Sequence, residues 1–151
     1  MDQNDVESLL VLLNAVATWA MVGLIWFVQR VHYPLLALIG TERARPVALE
    51  HQRRTAQVVG LPMAVEGLST LALVVWRPDS IAIWMPLVNG ALLAVALGST
   101  VLLSVPLHAR MADQPDDQVG RRLVTTNWPR TVAWTARGVL CAVMLWHAQA
   151  L

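Results

Sequence analysis

Lysine is absent from the 151 residues, so all eleven basic side chains are arginine, and cysteine occurs once, at Cys141. A single cysteine excludes an intrachain disulfide and a cysteine-based zinc cluster. Charge is scarce as well: 14% of residues are charged, against about 25% in a soluble domain. There is no glycine-rich phosphate loop, no Gly-x-Ser-x-Gly nucleophile elbow and no Cys-x-x-Cys pair. The arginines flank apolar runs and form no solvated patch, which leaves no signature of nucleic-acid binding.

What is abundant is uninterrupted apolar sequence. Positions 9–28 and 80–107 hold no charge, positions 57–76 hold only Glu66, and positions 131–151 hold only Arg137. About 20 such residues cross the roughly 30 Å of hydrocarbon in a bilayer. A soluble bundle would need a charged face on every helix. The expected fold is therefore all-α: a four-helix transmembrane bundle forming one integral membrane domain over 1–151, with spans at about 6–31, 57–76, 80–108 and 131–151. The first run exceeds a signal-peptide core, and its flank (Asp2, Asp5, Glu7) is acidic, so it reads as a retained helix.

Arg30, Arg43, Arg45, Arg53 and Arg54 surround the first long connection, and Arg110, Arg121, Arg122 and Arg130 the second; Arg77 lies on the opposite side. The positive-inside rule then places both connections in the cytoplasm and both termini outside. The expected localisation is the cell inner membrane, as a multi-pass protein. Trp76, Trp84 and Trp146 read as outer interfacial anchors and Trp26 and Trp128 as inner ones, with Trp19 and Trp134 deeper. Proline punctuates the chain. Span one is expected to end at His32-Tyr33-Pro34, and Pro46 to open a helix of about 46–76 with a bend at Pro62. Residues 119–127 read as a short lead-in helix before span four. Gly60 and Gly67, seven apart, mark a candidate close helix contact.

With that topology the polar groups gather at one depth. His32 and His108 close the inner ends of spans one and three. His51 and Arg54 lie one turn apart on the inner extension of span two, and Asn127, Arg130 and Thr131 open span four. Arg130, Trp134 and Arg137 follow i, i+4, i+7 spacing and share a helix face. Arg137 and Glu66 fall at similar depths in spans that run the same way. A lone charge there costs at least about 2.5 kcal/mol, so the two are expected to pair inside the bundle. Such a pair serves either helix assembly or a site. His32, His51 and His108 are candidate metal ligands, since neutral imidazole is the commonest side-chain ligand. Iron, copper or haem are the candidate cofactors, with Glu50 a further possible ligand, although no His-x-x-x-His or Glu-x-x-His spacing is present. Arg54 and Arg130, with His32 and His51, form instead a candidate cationic pocket for a lipid head group or small anion.

The segments W-F-V-Q-R-V-H-Y-P-L (26–35), E-H-Q-R-R-T with P-M-A-V-E (50–66), V-P-L-H (105–108) and R-L-V-T-T-N-W-P-R-T-V-A-W-T-A-R (122–137) resemble a group of small bacterial four-helix integral membrane proteins of unassigned function. That group is distantly similar to the anthrone-oxygenase-like membrane family. The closer resemblance covers most of the chain and singles out His32, Tyr33, His51, Arg54, Glu66, His108, Asn127, Trp128, Arg130, Trp134 and Arg137. The distant one implies oxygen-dependent oxidation of an aromatic, lipophilic substrate.

The expectation is thus a membrane oxidoreductase acting on a lipophilic substrate at the cytoplasmic face. Glu66, Arg137 and Tyr33 are its catalytic candidates. Arg54, Arg130, Asn127 and Trp134 are its substrate-binding candidates, and His32, His51 and His108 its metal candidates. The alternatives are a lipid- or anion-binding or transport module, or a structural subunit of a larger membrane complex. The expected partners are the bilayer, a lipophilic small molecule or anionic lipid, and further copies of the chain.

Overall fold

The computed structural model describes residues 3–114 and 116–149, apart from the side chain of Asp117. Asp2 of the acidic flank, and Ala150 and Leu151 at the end of the fourth run, lie outside the described residues. Those residues form four long helices and one short one, with no strand among them. Helix α1 spans Gln3–Leu36, α2 Thr41–Val75 and α3 Trp84–Asp113. The short α4 spans Asp117–Thr126 and α5 Trp128–Gln149. The long helices run up-down-up-down. Around the bundle, α1 packs on α2, α2 on α3, α3 on α5, and α5 closes the ring against α1. Helices α1, α2 and α3 are each long and apolar enough to cross a membrane. Helix α5 is not among them: its 22 residues include Arg130, Arg137, His147 and Gln149.

Several helix boundaries differ from the sequence expectation, and three of them lie near prolines. Helix α1 does not stop at Pro34; it widens into a π turn over Val28–His32 and continues as Tyr33–Leu36. Helix α3 does the same at Thr100–Ser104, ahead of Pro106, and ends at Asp113 instead of 108. Proline lacks an N–H and its ring collides with the carbonyl four residues back. A wider turn relieves that collision. Accordingly the Tyr33 N–H bonds the Val28 carbonyl and the Val105 N–H bonds that of Thr100, each five residues back. Helix α2 is likewise continuous through Pro46 and Pro62, beginning at Thr41 and not at Pro46. Its early turns are held by packing: Ala44 and Ala48 are buried against Tyr33 and Leu36 of α1, Met111 of α3 and Leu123 of α4. At the opposite end a turn over residues 76–83 delays α3 to Trp84, and α5 starts at Trp128, three residues ahead of the expected span.

Asp116 caps α4, its Oδ1 accepting from the amides of Gln118 and Val119, both at 2.8 Å. Chiefly the Gln118 amide holds its carboxyl below the usual range. Close helix contact does not occur at Gly60 or Gly67, where an added Cβ would meet nothing within 4 Å. Gly60 is exposed and Gly67 half-buried. The close approaches are at Gly138, whose Cβ would lie 3.1 Å from Val22, and at Gly120, whose Cβ would lie 2.5 Å from the Ala37 Cα. Gly120→Ala therefore forces α4 off the α1–α2 connection. It is expected to destabilise the protein by about 1–3 kcal/mol, read as a lowered thermal midpoint in detergent; an unchanged midpoint would show that α4 shifts freely.

Candidate functional site

Two polar assemblies occupy the bundle, stacked along its axis with Trp134 between them. The deeper one contains the Glu66–Arg137 pair expected from the sequence. Glu66 comes from α2, where Ser69 and Thr70 follow on the same face, and Arg137 comes from α5. Both side chains are 0% exposed, with Nη1 of Arg137 2.6 Å from Oε2 of Glu66. Every arm of the guanidinium is engaged: Nε donates to Asn89 Oδ1 at 2.8 Å and Nη2 to Thr70 Oγ1 at 3.0 Å. Trp134 Nε1 donates to both carboxylate oxygens of Glu66, at 3.1 and 3.2 Å. Asn14 of α1 donates to Ser69 and Thr70, while Asn89 of α3 donates to the Cys141 sulfur at 3.1 Å. All four long helices thus contribute to one buried network, consistent with the rule that buried charges are paired and hydrogen-bonded.

The second assembly lies nearer the arginine-rich end, where the two π turns bring α1 and α3 against α2. His32 Nε2 lies 2.7 Å from His51 Nδ1, and Tyr33 Oη lies 3.0 Å from His108 Nε2. The His51 ring is flanked by those of His32 and His108, each with its centroid 4.6 Å away. Beside this ladder opens a cleft of about 290 Å³. Its wall is apolar, with Met21, Val59 and Met63; its polar rim is Tyr33, His51, His108, Ser104 and Arg130; Trp134 forms its floor. Arg130 Nη1 donates to Ser104 Oγ at 2.5 Å, and the guanidinium sits 5.8 Å from the centre of the Trp134 ring. Two buried polar atoms here have no hydrogen-bond partner: His108 Nδ1 and Arg130 Nε.

The expected site residues therefore divide. Tyr33, His51, His108, Arg130 and Trp134 meet around the cleft, with His32 behind them. Arg54 does not join; it lies on the exposed face of α2, its Nε 2.6 Å from Glu50 one turn back, and Arg53 shares the same carboxylate at 2.7 Å. One turn of spacing from His51 did not put Arg54 on the inward face, and it left Glu50 committed to arginines. Asn127 does not line the cleft either. It is buried in the link between α4 and α5, where its Nδ2 donates to Gln29 Oε1 at 2.9 Å. Gln29 also accepts from Thr131 and donates to the Val124 carbonyl, which ties the first π turn to the start of α5.

The metal expectation for His32, His51 and His108 is not met by their arrangement. Among the described residues no group of three or more His, Cys, Asp or Glu side chains is placed to hold a metal ion. His32 and His51 turn one nitrogen each toward the other, and His108 Nε2 faces Tyr33, so the nitrogens do not converge on one point. A haem held by two of these histidines would need its plane between facing imidazoles, and the stacked rings leave no such gap.

Asn14, Asn89, Thr70, Gln29 and Ser104 escaped the sequence reading. Asn14 and Asn89 carried a usable signal, as the amide side chains set within charge-free runs; Ser104 became prominent only because the π turn rotates it toward Arg130. No protein-family model, curated protein or solved structure matches this chain.

Proposed function

We propose that the chain is a four-span integral membrane protein that holds a lipophilic small molecule in the cleft at its cytoplasmic end. Insertion of all four helices, α5 included, is supported by an inside-out distribution of polarity. The interior holds Asn14, Glu66, Asn89 and Arg137, while large apolar side chains face outward. On α5 the outward residues are Val132, Val139, Val143 and Trp146, and the inward ones Thr131, Trp134 and Arg137. Water selects the reverse pattern and hydrocarbon selects this one. With the arginine-rich connections in the cytoplasm, both termini lie outside and the cleft opens at the inner membrane face.

The observation that carries the ligand reading is the cleft itself: an apolar wall meeting a rim of convergent polar groups, the usual composition of a small-molecule site. The paired Tyr33 hydroxyl and His108 ring offer acid–base chemistry at that rim. Glu66 and Arg137 take a positioning role in this reading, because Trp134 covers them and their hydrogen bonds are saturated within the protein. Met63→Trp fills the cleft from α2, against Trp134, and replaces no member of the buried network. Solvent extracts of the purified wild type are expected to contain a lipophile at stoichiometric amount that the folded Met63→Trp protein has lost. Equal content in both would sink the reading.

A further inference from the structure

We infer that the cleft is built for a single-chain amphiphile with an oxyanion head, a carboxylate or a phosphate, gripped by Arg130. This inference rests on the cleft being a lipophile site and specifies what that site takes. Arg130 is the starting point. Of the other arginines around this end, Arg53 and Arg54 share Glu50, Arg110 pairs with Asp116 and Arg45 with Asp113 at 3.7 Å, while Arg30, Arg43, Arg121 and Arg122 are exposed and line no part of the cleft. Arg137 is neutralised by Glu66. Arg130 forms no ion pair with any described carboxylate, although it is half-buried and lines an apolar cleft.

Its hydrogen bonding is one-sided. Nη1 is held by Ser104, which fixes the plane of the guanidinium, and the Trp134 ring backs it. Nε is buried without a partner, so among the described residues nothing engages the Nε–Nη2 edge. That edge is the fork that binds a carboxylate or phosphate through two parallel hydrogen bonds. Beside it on the same rim stands His108, 7% exposed, with Nδ1 unpartnered. With His108 Nε2 accepting from the Tyr33 hydroxyl, Nδ1 carries the ring proton, and two unpartnered N–H groups at one rim, one of them on an uncompensated cation, are the complement of an anionic oxygen head. A buried donor without a partner costs about 1–3 kcal/mol, so the arrangement favours an occupant that supplies the missing acceptor.

The volume limits the body of that occupant. At about 290 Å³ the cleft sits at the bottom of the roughly 300–1,000 Å³ range of ligand sites. It accommodates one chain or one small ring system and not the two acyl chains of a phospholipid. The wall of Met21, Val59 and Met63 suits a flexible chain, since methionine adapts to irregular apolar shapes.

The test uses the full-length protein in nanodiscs, with empty nanodiscs as background. Binding of dodecanoate, dodecyl phosphate, 1-dodecanol and inorganic phosphate is measured by calorimetry. The wild type is expected to bind dodecanoate or dodecyl phosphate at least about tenfold more tightly than dodecanol, the gain from charge-assisted hydrogen bonds. Arg130→Gln is expected to abolish that preference while still binding dodecanol, and Arg130→Lys, which keeps the charge and loses the fork, to retain only part of it. Equal wild-type affinity for dodecanol and dodecanoate overturns the anion assignment and leaves the lipophile cleft standing. Binding of inorganic phosphate without either amphiphile overturns the single-chain assignment. Saturable binding of none of the four, or binding unchanged by Met63→Trp, overturns the cleft reading itself. Should Arg130→Gln not fold, the wild-type ratio and Arg130→Lys still decide.

Discussion

Replacing Arg137 by methionine is expected to destabilise the bundle by about 3–5 kcal/mol, the range for removing one partner of a buried ion pair. The Glu66 carboxylate, fully buried, would lose its charged partner and keep only neutral donors, the Trp134 indole chief among them. Asn89 Oδ1 loses its 2.8 Å donor in the same step. Glu66→Leu is expected to cost a similar amount, because it strands the cation instead. The double substitution Glu66→Leu with Arg137→Met removes both charges and is expected to recover most of the loss, since apolar replacements of a whole buried pair are often neutral or stabilising. The measurement is a double-mutant cycle on reversible unfolding in detergent, in which directly bonded partners show a coupling of about 0.5–3 kcal/mol. Strict additivity of the two single losses would mean that pairing is not what holds the network together.

That pair was readable from the sequence because rise per residue fixes depth once the direction of each span is set. Charge-free runs likewise set the helical class and the approximate positions of all four long helices. Proline misled at Pro34 and Pro46, where its effect was read locally as a stop or start; the surrounding packing and a π turn override it. The site was only partly legible for the same kind of reason. His32, His51 and His108 share a depth, and depth is what spacing reveals. Which way the His32 and His108 rings face His51 depends on the π turns in α1 and α3, so the rings stack where ligands would converge. Arg54 and Arg130 looked equivalent as arginines near one membrane face. They part company because Glu50 lies four residues before Arg54, whereas Arg130 points into the cleft with only Ser104 to meet it.

Trp134 separates the cleft from the buried pair, and two substitutions there are expected to divide its functions. Trp134→Ala removes a large side chain that is 1% exposed, and the loss is expected at about 3–5 kcal/mol. Trp134→Phe keeps most of the ring and removes only the Nε1 donor, which takes a 3.1 Å hydrogen bond from Glu66 Oε1; about 1–3 kcal/mol is expected there. The alanine variant also joins the cleft to the Glu66–Arg137 network, so water entering the cleft reaches groups that are fully buried in the native protein. Cys141 reports on this, being the one cysteine and bonded to Asn14 and Asn89 in that network. Its labelling by N-ethylmaleimide in the folded protein is expected to be negligible in the wild type and in Trp134→Phe, and rapid in Trp134→Ala. If the two variants match in stability and both leave Cys141 protected, Trp134 is not the partition, and the polar core is sealed by the helices around it.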